Sequence, residues 1–146
     1  VLLGDILQKK VDDPWFNLDD EEMKQWKYLK GSKKEERIVK ATGFKFNYSE
    51  GPLPFPDPLD RPSRTMITGE GGKAPSRFKH VVKDSTKKLR RITPNEAERL
   101  NGFPDDWTLT ETMPTNFRYF CMGNALVVPL VGEIMNGIKK IIPYDP

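Results

Sequence analysis

The most regular hydrophobic pattern of the chain lies close to its C-terminus. Apolar side chains recur there at intervals of three and four residues, at Val127, Val131, Ile134, Met135, Ile138, Ile141 and Ile142. This spacing predicts a helix from Val127 to Ile142, with Pro129 in its first turn and Pro143 ending it. An apolar face of this width needs a substantial partner surface, so we expect the helix to pack on its own domain or on another copy.

Two shorter helices are predicted from their end signals. Asp19 and Glu22 form a capping box, in which side chains satisfy backbone N–H groups, and Gly31 ends the helix that follows. Its apolar stripe consists of Met23, Trp26 and Leu29. Another helix is predicted from Thr115 to Met122 and is broken by Gly123-Asn124. The side chains that this helix should bury are Phe117, Phe120 and Cys121.

Alternation of apolar and polar residues indicates the strands. Between Gly43 and Tyr48 the aromatic side chains share one face, which predicts a half-buried strand. A core face is favoured for this stripe, although aromatic residues beside lysines could also stack on nucleic-acid bases. Strand-like residues return from Ser63 to Thr68 and from His80 to Val82. Repeated prolines make residues 50–62 an extended surface linker.

The run Leu89–Trp107, LRRITPNEAERLNGFPDDW, encodes a helix with a complete start and stop. Thr93 is its N-cap, Pro94 occupies the first helical position and Glu96 completes a capping box. Asn101-Gly102 then supplies the left-handed stop. These signals predict a short, well-capped surface helix.

Charge is unevenly distributed along the 146 residues, although the net charge is only +3. From Lys73 to Arg91 the chain carries 8 lysines and arginines against the single Asp84. Such an excess attracts polyanions, although charge runs are also common on solvated surfaces. Cys121 is the only cysteine, which excludes an internal disulfide, and its apolar neighbours predict an inert thiol. Since His80 is also the only histidine, no metal site is predicted.

Other whole-chain features narrow the setting. We find no apolar run long enough to cross a bilayer and no signal-peptide pattern, so no membrane partner is expected. A first residue of valine suggests a trimmed or excised chain. The expected location is the cytoplasm or nucleoid of a bacterium, or the nucleus of a eukaryote.

Two stretches resemble the motifs of one enzyme family. Residues 90–107, RRITPNEAERLNGFPDDW, are similar to the ninth motif of the DNA (cytosine-5)-methyltransferases, R-x-T-x-x-E-x-x-R-L-x-G-F-P. Residues 120–129, FCMGNALVVP, are similar to the tenth motif, which is built on Gly-Asn-Ala/Ser-Val. The two occur in the order and spacing of that family.

The resemblance implies an α+β fold, in which a small recognition domain of short strands and loops precedes C-terminal helices. The main cofactor-binding parallel sheet of the family would be lacking. Residues 1–88 would form the target-recognition region, with the Pro-rich linker at about 50–62 and DNA-reading loops at about 61–82. Residues 89–107 would carry the ninth-motif helix, and residues 108–146 the tenth-motif helices that dock on the catalytic domain.

The resemblance also implies which chemistry is missing. Family members use a Pro-Cys nucleophile and an S-adenosylmethionine site opened by a Gly-rich motif, and neither stands in this sequence. The chain would therefore hold no catalytic residue and be inactive alone, as part of a restriction–modification methyltransferase. S-Adenosylmethionine would be bound mainly by the missing half, with Asn124 and Ala125 contributing. The implied partners are double-stranded DNA and an N-terminal catalytic half or subunit.

Candidate DNA contacts follow from the same resemblance, since Ser63-Arg64-Thr65-Met66 stands where the family carries threonine and an aliphatic residue. Arg64, Arg77 and His80 are predicted to reach base edges, because arginine suits guanine through a two-pronged contact. The other predicted DNA contacts are Arg61, Thr65, Lys73, Lys79, Lys83, Lys87 and Lys88. Structural roles are predicted for Thr93, Glu96 and Arg99, and are an alternative for Arg90 and Arg91.

Two other hypotheses stay open at this stage. The chain could be a freestanding, non-catalytic DNA-binding or regulatory module, which would bind DNA selectively but not complement a catalytic half. It could also be a basic protein-interaction domain whose charge serves solubility, and such a domain would not bind DNA.

Overall fold

A computed structural model describes residues 1–142 and shows four α-helices, four strands and two short 3-10 turns in them. In chain order these are α1 (Asp20–Lys30), β1 (Lys33–Ile38), β2 (Lys45–Glu50), β3 (Val81–Lys83), β4 (Leu89–Arg91), α2 (Pro94–Leu100), α3 (Thr115–Asn124) and α4 (Val128–Ile141). The 3-10 turns, Leu3–Ile6 and Pro14–Phe16, precede α1. Pro143, which was predicted to end the last helix, lies outside the described residues.

The strands form two antiparallel hairpins. β1 pairs with β2 from Lys33 opposite Glu50 to Ile38 opposite Lys45. β3 pairs with β4, with Val81 opposite Arg91. The predicted α+β class, with short strands followed by C-terminal helices, is confirmed for the described residues.

The core lies where the first 3-10 turn, the β3–β4 hairpin, α2 and α3 meet. Its buried apolar residues are Leu3, Ile6, Val82, Ile92, Ala97, Tyr119 and Met122. The capping boxes predicted at α1 and α2 are both confirmed, with Asp19 accepting from Glu22 N and Thr93 accepting from Glu96 N. The ninth-motif helix α2 is therefore formed by local signals and then buried by the elements around it.

The β1–β2 hairpin differs from its prediction in the burial of its aromatic residues. Its second strand was predicted, but the aromatic stripe is not a core face, since Phe44 is 64% and Phe46 is 38% exposed. β1 was not predicted, because Lys33–Ile38 consists almost entirely of charged residues. The two strands satisfy each other's backbone hydrogen bonds, and this pairing does not require either face to be buried.

Two predictions for residues 50–68 were also wrong. Residues 63–68 form no strand. The proline-rich stretch is not a free linker, because its carbonyls at Leu59 and Arg61 accept from Gly4 N and Leu3 N at 2.9 and 2.8 Å. Asp57 within it is only 3% exposed. Proline removes donors but leaves carbonyls, so such a stretch can still be held by hydrogen bonds from neighbouring segments.

Burial on α2 and α3 differs from the sequence patterns. Glu96 and Glu98 of α2 are 0% exposed, so this helix is not a surface helix. On α3 the predicted core residues Phe117 and Phe120 are 50% and 48% exposed and stack on each other, with ring centroids 5.4 Å apart. The side chains that α3 buries are Arg118, Tyr119 and Met122.

α4 has no buried residue, so the helix does not bury its apolar face on its own domain. Packing on another copy, the other predicted arrangement, stays a prediction. Its apolar side chains remain open, with Leu130 at 58% and Ile134 at 52% exposed. By length and composition alone, Thr115–Ile141 is long and apolar enough to span a membrane. However, α3 and α4 are separate helices, and the 14 residues of α4 extend about 21 Å, less than the roughly 30 Å of a bilayer core.

Candidate nucleic-acid interface

Three segments of the predicted recognition region are tied together by one buried carboxylate, Asp57. Its Oδ1 accepts from Arg64 Nε at 2.8 Å, and its Oδ2 accepts from Lys30 Nζ at 2.8 Å and from Val81 N at 2.9 Å. Burial alone would raise the pKa of Asp57, but the hydrogen bonds from Arg64 and Lys30 outweigh it and hold that pKa below its ordinary value. Asp57 therefore stays ionised and joins α1, the loop at Arg64 and β3.

The Asp57 cluster predicts a specific acid sensitivity. Because the folded-state pKa is lowered, its contribution to stability is present above the unfolded pKa of about 4 and is lost as the pH falls through the folded value. We expect the free energy of unfolding to decrease when the pH is lowered below about 4. This decrease should be smaller in Asp57→Asn. Urea titrations from pH 7 to pH 2.5, with the exposed Asp20→Asn as control, measure it; equal acid slopes for all three proteins would contradict the assignment.

The remaining hydrogen bonds of Arg64 also stay within the chain. Its Nη1 donates to Phe78 O at 3.0 Å and its Nη2 to Lys79 O at 3.2 Å. Arg77 is held in the same manner, with Nη1 donating to Leu29 O and Gly31 O at 3.1 and 3.2 Å. Arg77 also donates to Gly51 O and lies 3.3 Å from the Glu50 carboxylate, so it joins the end of α1 to the base of the β1–β2 hairpin.

His80 and Lys79 make hydrogen bonds to the glycine-containing loop of residues 63–74. His80 is 1% exposed; its ring nitrogens lie 3.1 Å from Glu70 Oε1 and 3.0 Å from Ser63 Oγ, and its backbone N–H donates to Glu70. Lys79 Nζ donates to Ala74 O at 2.8 Å and Gly72 O at 3.3 Å, and burial lowers its pKa. These groups give the loop of residues 63–74 a defined shape without regular secondary structure.

The structure thus separates the predicted DNA contacts into two groups. Arg64, Arg77, Lys79 and His80 lie in the hydrogen-bond network of the chain itself, where the sequence analysis had expected contacts to bases or phosphates. The exposed side chains are Arg61, Thr65, Lys73, Lys83, Lys87 and Lys88. Asp57 and Glu70 were missed, and the signal that could have found them is a single carboxylate flanked by prolines and another flanked by glycines.

The exposed lysines are partly brought together. Lys83, Lys87 and Lys88 line one groove of about 620 Å³ beside the turn between β3 and β4. Lys73 lines a neighbouring groove, which shares Asn17 and Leu18 with the first. Thr65 lines a different groove of about 360 Å³, formed by residues 63–66 and the ends of α2 and α3.

The predicted structural residues of the ninth motif are held by hydrogen bonds within the chain, and two of them, Thr93 and Glu96, are buried. Glu96 accepts from Arg90 Nη1 and Nη2 at 2.8 and 2.7 Å and from Gln8 N at 2.7 Å. Arg99 binds both oxygens of Asp105 at 2.6 Å and donates to Ile6 O at 2.9 Å. Thr93 Oγ1 lies 2.6 Å from Gln8 Oε1, besides capping α2. All three motif residues thus make contacts within the chain, and their structural roles stay predictions.

Arg91 is likewise held by contacts within the chain. It pairs with Glu22 of α1 and donates to Trp15 O and Asn17 O at 3.1 and 3.2 Å. Asn124 and Ala125, the predicted cofactor contacts, lie at the C-terminal end of α3. Asn124 is exposed and its Nδ2 donates to Phe120 O at 2.9 Å, while Ala125 is half-buried and lines the 360 Å³ groove.

Comparison with known proteins identifies the class to which this fold and these motifs belong. A model of the C-5 cytosine-specific DNA methylases matches residues 2–140. The chain therefore belongs to the C-5 cytosine-specific DNA methylase family.

Its relatives are longer than it is. The chain is 48% identical to the type II methyltransferase M.Sau3AI of Staphylococcus aureus over 142 residues, which are 97% of this chain and 32% of that protein. It is 29% identical to the type II methyltransferase M.SsoII of Shigella sonnei over 136 residues, 93% of this chain and 31% of that protein. The chain thus spans about a third of the length of these curated relatives.

Solved structures share the fold. The S. pombe Dnmt2 methyltransferase matches with a TM-score of 0.65 at 16% identity, over 99% of this chain and 43% of that one. The Entamoeba histolytica methyltransferase EhMeth matches with a TM-score of 0.62 at 16% identity, over 99% of this chain and 42% of that one.

Proposed function

We propose that this chain is the C-terminal portion of an S-adenosylmethionine-dependent DNA cytosine-5 methyltransferase of a restriction–modification system, and that it selects the DNA target. The observation that carries the proposal is the family match over residues 2–140 in a chain spanning about a third of its relatives. The ninth and tenth motifs stand at the end of that match, whereas the Pro-Cys nucleophile and the Gly-rich cofactor motif do not occur in the sequence. Catalysis and the main parallel sheet then belong to a preceding polypeptide or subunit.

The proposed division of labour follows the elements. Residues 1–88 form the target-recognition region, residues 89–107 hold it together, and residues 108–146 dock on the catalytic portion. The open apolar side of α4 supports this docking, because contiguous exposed apolar surface of this kind marks interaction sites.

The proposed DNA contacts are revised from those of the sequence analysis. Lys83, Lys87, Lys88 and Lys73 neutralise phosphates, since their ammonium groups are exposed and line adjoining grooves. Thr65 and the backbone of the loop that follows it approach the base edges. Arg64, Arg77, Lys79 and His80 contribute indirectly, by holding the loops in the required shape.

The residues near the tenth motif fit the edge of a cofactor site and not a complete one. Asn124 offers an exposed carboxamide and Ala125 lines a groove, and neither encloses a ligand. S-Adenosylmethionine would supply the methyl group, while this chain contributes contacts at one side of it. A methyl-transfer assay with radiolabelled cofactor should show no activity for residues 1–146 alone and activity after the N-terminal portion is added; selective DNA binding without such complementation would instead support a freestanding module.

DNA binding should depend on salt through the lysine groove. Replacing Lys83, Lys87 and Lys88 by glutamine should reduce the slope of log K against log[salt] by about 2.7, because each phosphate contact contributes about 0.9. Fluorescence anisotropy with a duplex, from 50 to 300 mM salt, measures the slope.

A charge-matched variant controls for the effect of net charge on DNA binding. Lys34, Lys40 and Lys45 on the β1–β2 hairpin are exposed, and replacing them by glutamine removes the same charge elsewhere. This variant should lower the slope much less. Equal slopes for both triple variants would show that the lysine groove is not the phosphate site, and absence of binding by the unsubstituted protein would contradict the proposed function.

A further inference from the structure

Helix α3 is fixed to the ninth-motif helix and to the strand end that precedes it. Tyr119 Oη donates to Ile92 O at 2.6 Å, and Asn101 Nδ2 donates to Met122 O at 3.0 Å. Arg118 Nη2 donates to Glu98 Oε1 at 2.9 Å, with both side chains buried. These hydrogen bonds are spread along α3, so α3 and α2 are packed as one unit.

The glycine-containing loop of residues 63–74 also lies against α3. A Cβ atom on Gly123 would lie 2.4 Å from Thr68 N, 2.5 Å from Thr68 Cα and 2.6 Å from Ile67 C, distances that real Cβ atoms essentially never show. All three atoms belong to the loop backbone and cannot rotate aside as a side chain does. The loop therefore lies directly on the helix backbone at this point, and only glycine permits that approach.

A second contact lies one helical turn away on the same helix. A Cβ atom on Gly71 would lie 2.4 Å from Tyr119 Cδ2 and 3.0 Å from Tyr119 Cγ. Tyr119 is 1% exposed, and burial raises its pKa, so the ring is a fixed, neutral wall. Residues 119 and 123 are spaced i, i+4 and share a face of α3, so residues 67–71 of the loop rest on that face at both ends.

We propose that Gly123 and Tyr119 are positioning residues for target selection: the face of α3 that they form sets the distance of the loop 65–72 from the DNA. The inference rests on the proposed function, because it takes this loop to be the one that approaches base edges. Sequence discrimination requires donors and acceptors to be placed at hydrogen-bond distance from the bases. A loop displaced by one methyl group loses that placement, while Lys83, Lys87 and Lys88 of the β3–β4 hairpin keep theirs.

The test uses Gly123→Ala in the full protein that contains this chain. Alanine favours a helix more than glycine does, so α3 should persist, and the added methyl group should push the loop backbone outward. Selection from a random duplex pool should show the preferred sequence discriminated about tenfold less, which is what the loss of one base contact removes. Affinity for a scrambled duplex and its salt slope should stay unchanged, which a merely destabilised protein would not show.

Two further variants make the outcome decisive. Gly71→Ala acts on the second contact and should lower sequence discrimination in the same manner. It therefore tests the positioning role if Gly123→Ala does not fold. Gly51→Ala is the matched control, because nothing lies within 4 Å of a Cβ atom there. Unchanged discrimination in both folded test variants would overturn the inference alone, whereas absence of any preference in the unsubstituted protein would overturn the proposed function.

Discussion

Replacing Ile134 and Ile138 with aspartate should leave residues 1–142 folded but reduce methyl transfer by the reconstituted enzyme at least about 100-fold. Both side chains are exposed in the chain by itself, at 52% and 42%, so the aspartates meet water there. In the proposed docked state they would be buried without partners, at a cost of several kcal/mol, and each 1.4 kcal/mol is a factor of ten in affinity. Circular dichroism of the chain and a complementation assay with the N-terminal portion measure the two effects separately.

The matched control for this prediction lies on the opposite side of α4. Asn136→Asp combined with Lys140→Gln makes the same change in net charge at two exposed polar positions. It should support normal complementation. If both double variants complement equally well, α4 is not the docking surface, and the open apolar side chains need another explanation.

Replacing Glu96 with alanine should destabilise the chain by about 3–5 kcal/mol, the usual result of removing one partner from a buried ion pair. Arg90 is 1% exposed and would keep a buried charge without its two-pronged partner at 2.7–2.8 Å. The same carboxylate accepts from Thr93 N at 2.8 Å and Gln8 N at 2.7 Å, so the cap of α2 and the link to the N-terminal segment are lost together. Equilibrium urea unfolding at neutral pH measures the change.

An exposed glutamate provides the comparison. Glu111 lies in the loop between α2 and α3, and Glu111→Ala should change the free energy of unfolding by less than about 0.5 kcal/mol. A loss in Glu96→Ala no larger than this would mean that Arg90 finds another partner or water. The ninth motif would then have to be assigned a role other than holding the recognition region together.

Local signals in the sequence were sufficient for the starts of α1 and α2, whereas the predicted break of α3 at Gly123-Asn124 was wrong, since that helix continues to Asn124. The capping boxes at Asp19 and Thr93 need only residues within three positions of each other, and both form as predicted. The partners of side chains were harder to predict. The helical pattern of residues 115–122 placed Phe117 and Phe120 inside. Arg118 is buried instead, because its guanidinium group donates hydrogen bonds to Glu98 and Thr108, which are distant in sequence.

The same limit applies to the candidate site. Arginine is a good choice for both guanine recognition and intramolecular carboxylate clamps, so residue type could not separate the two uses. Arg64 reaches Asp57, and Arg77 reaches three backbone carbonyls, through contacts that span 7 to 48 residues of sequence. No periodicity in the sequence encodes such pairs.

By itself, the sequence determined the family, the capped starts of α1 and α2, the α+β class and the uneven charge, because motifs, caps and hydrophobic periods depend on neighbouring residues. Only the tertiary structure decided which charged groups are free for a polyanion, which glycines bear a close backbone contact, and that the apolar side of α4 is left open. These features depend on distances between segments far apart in the chain, and those distances are set by how the segments pack.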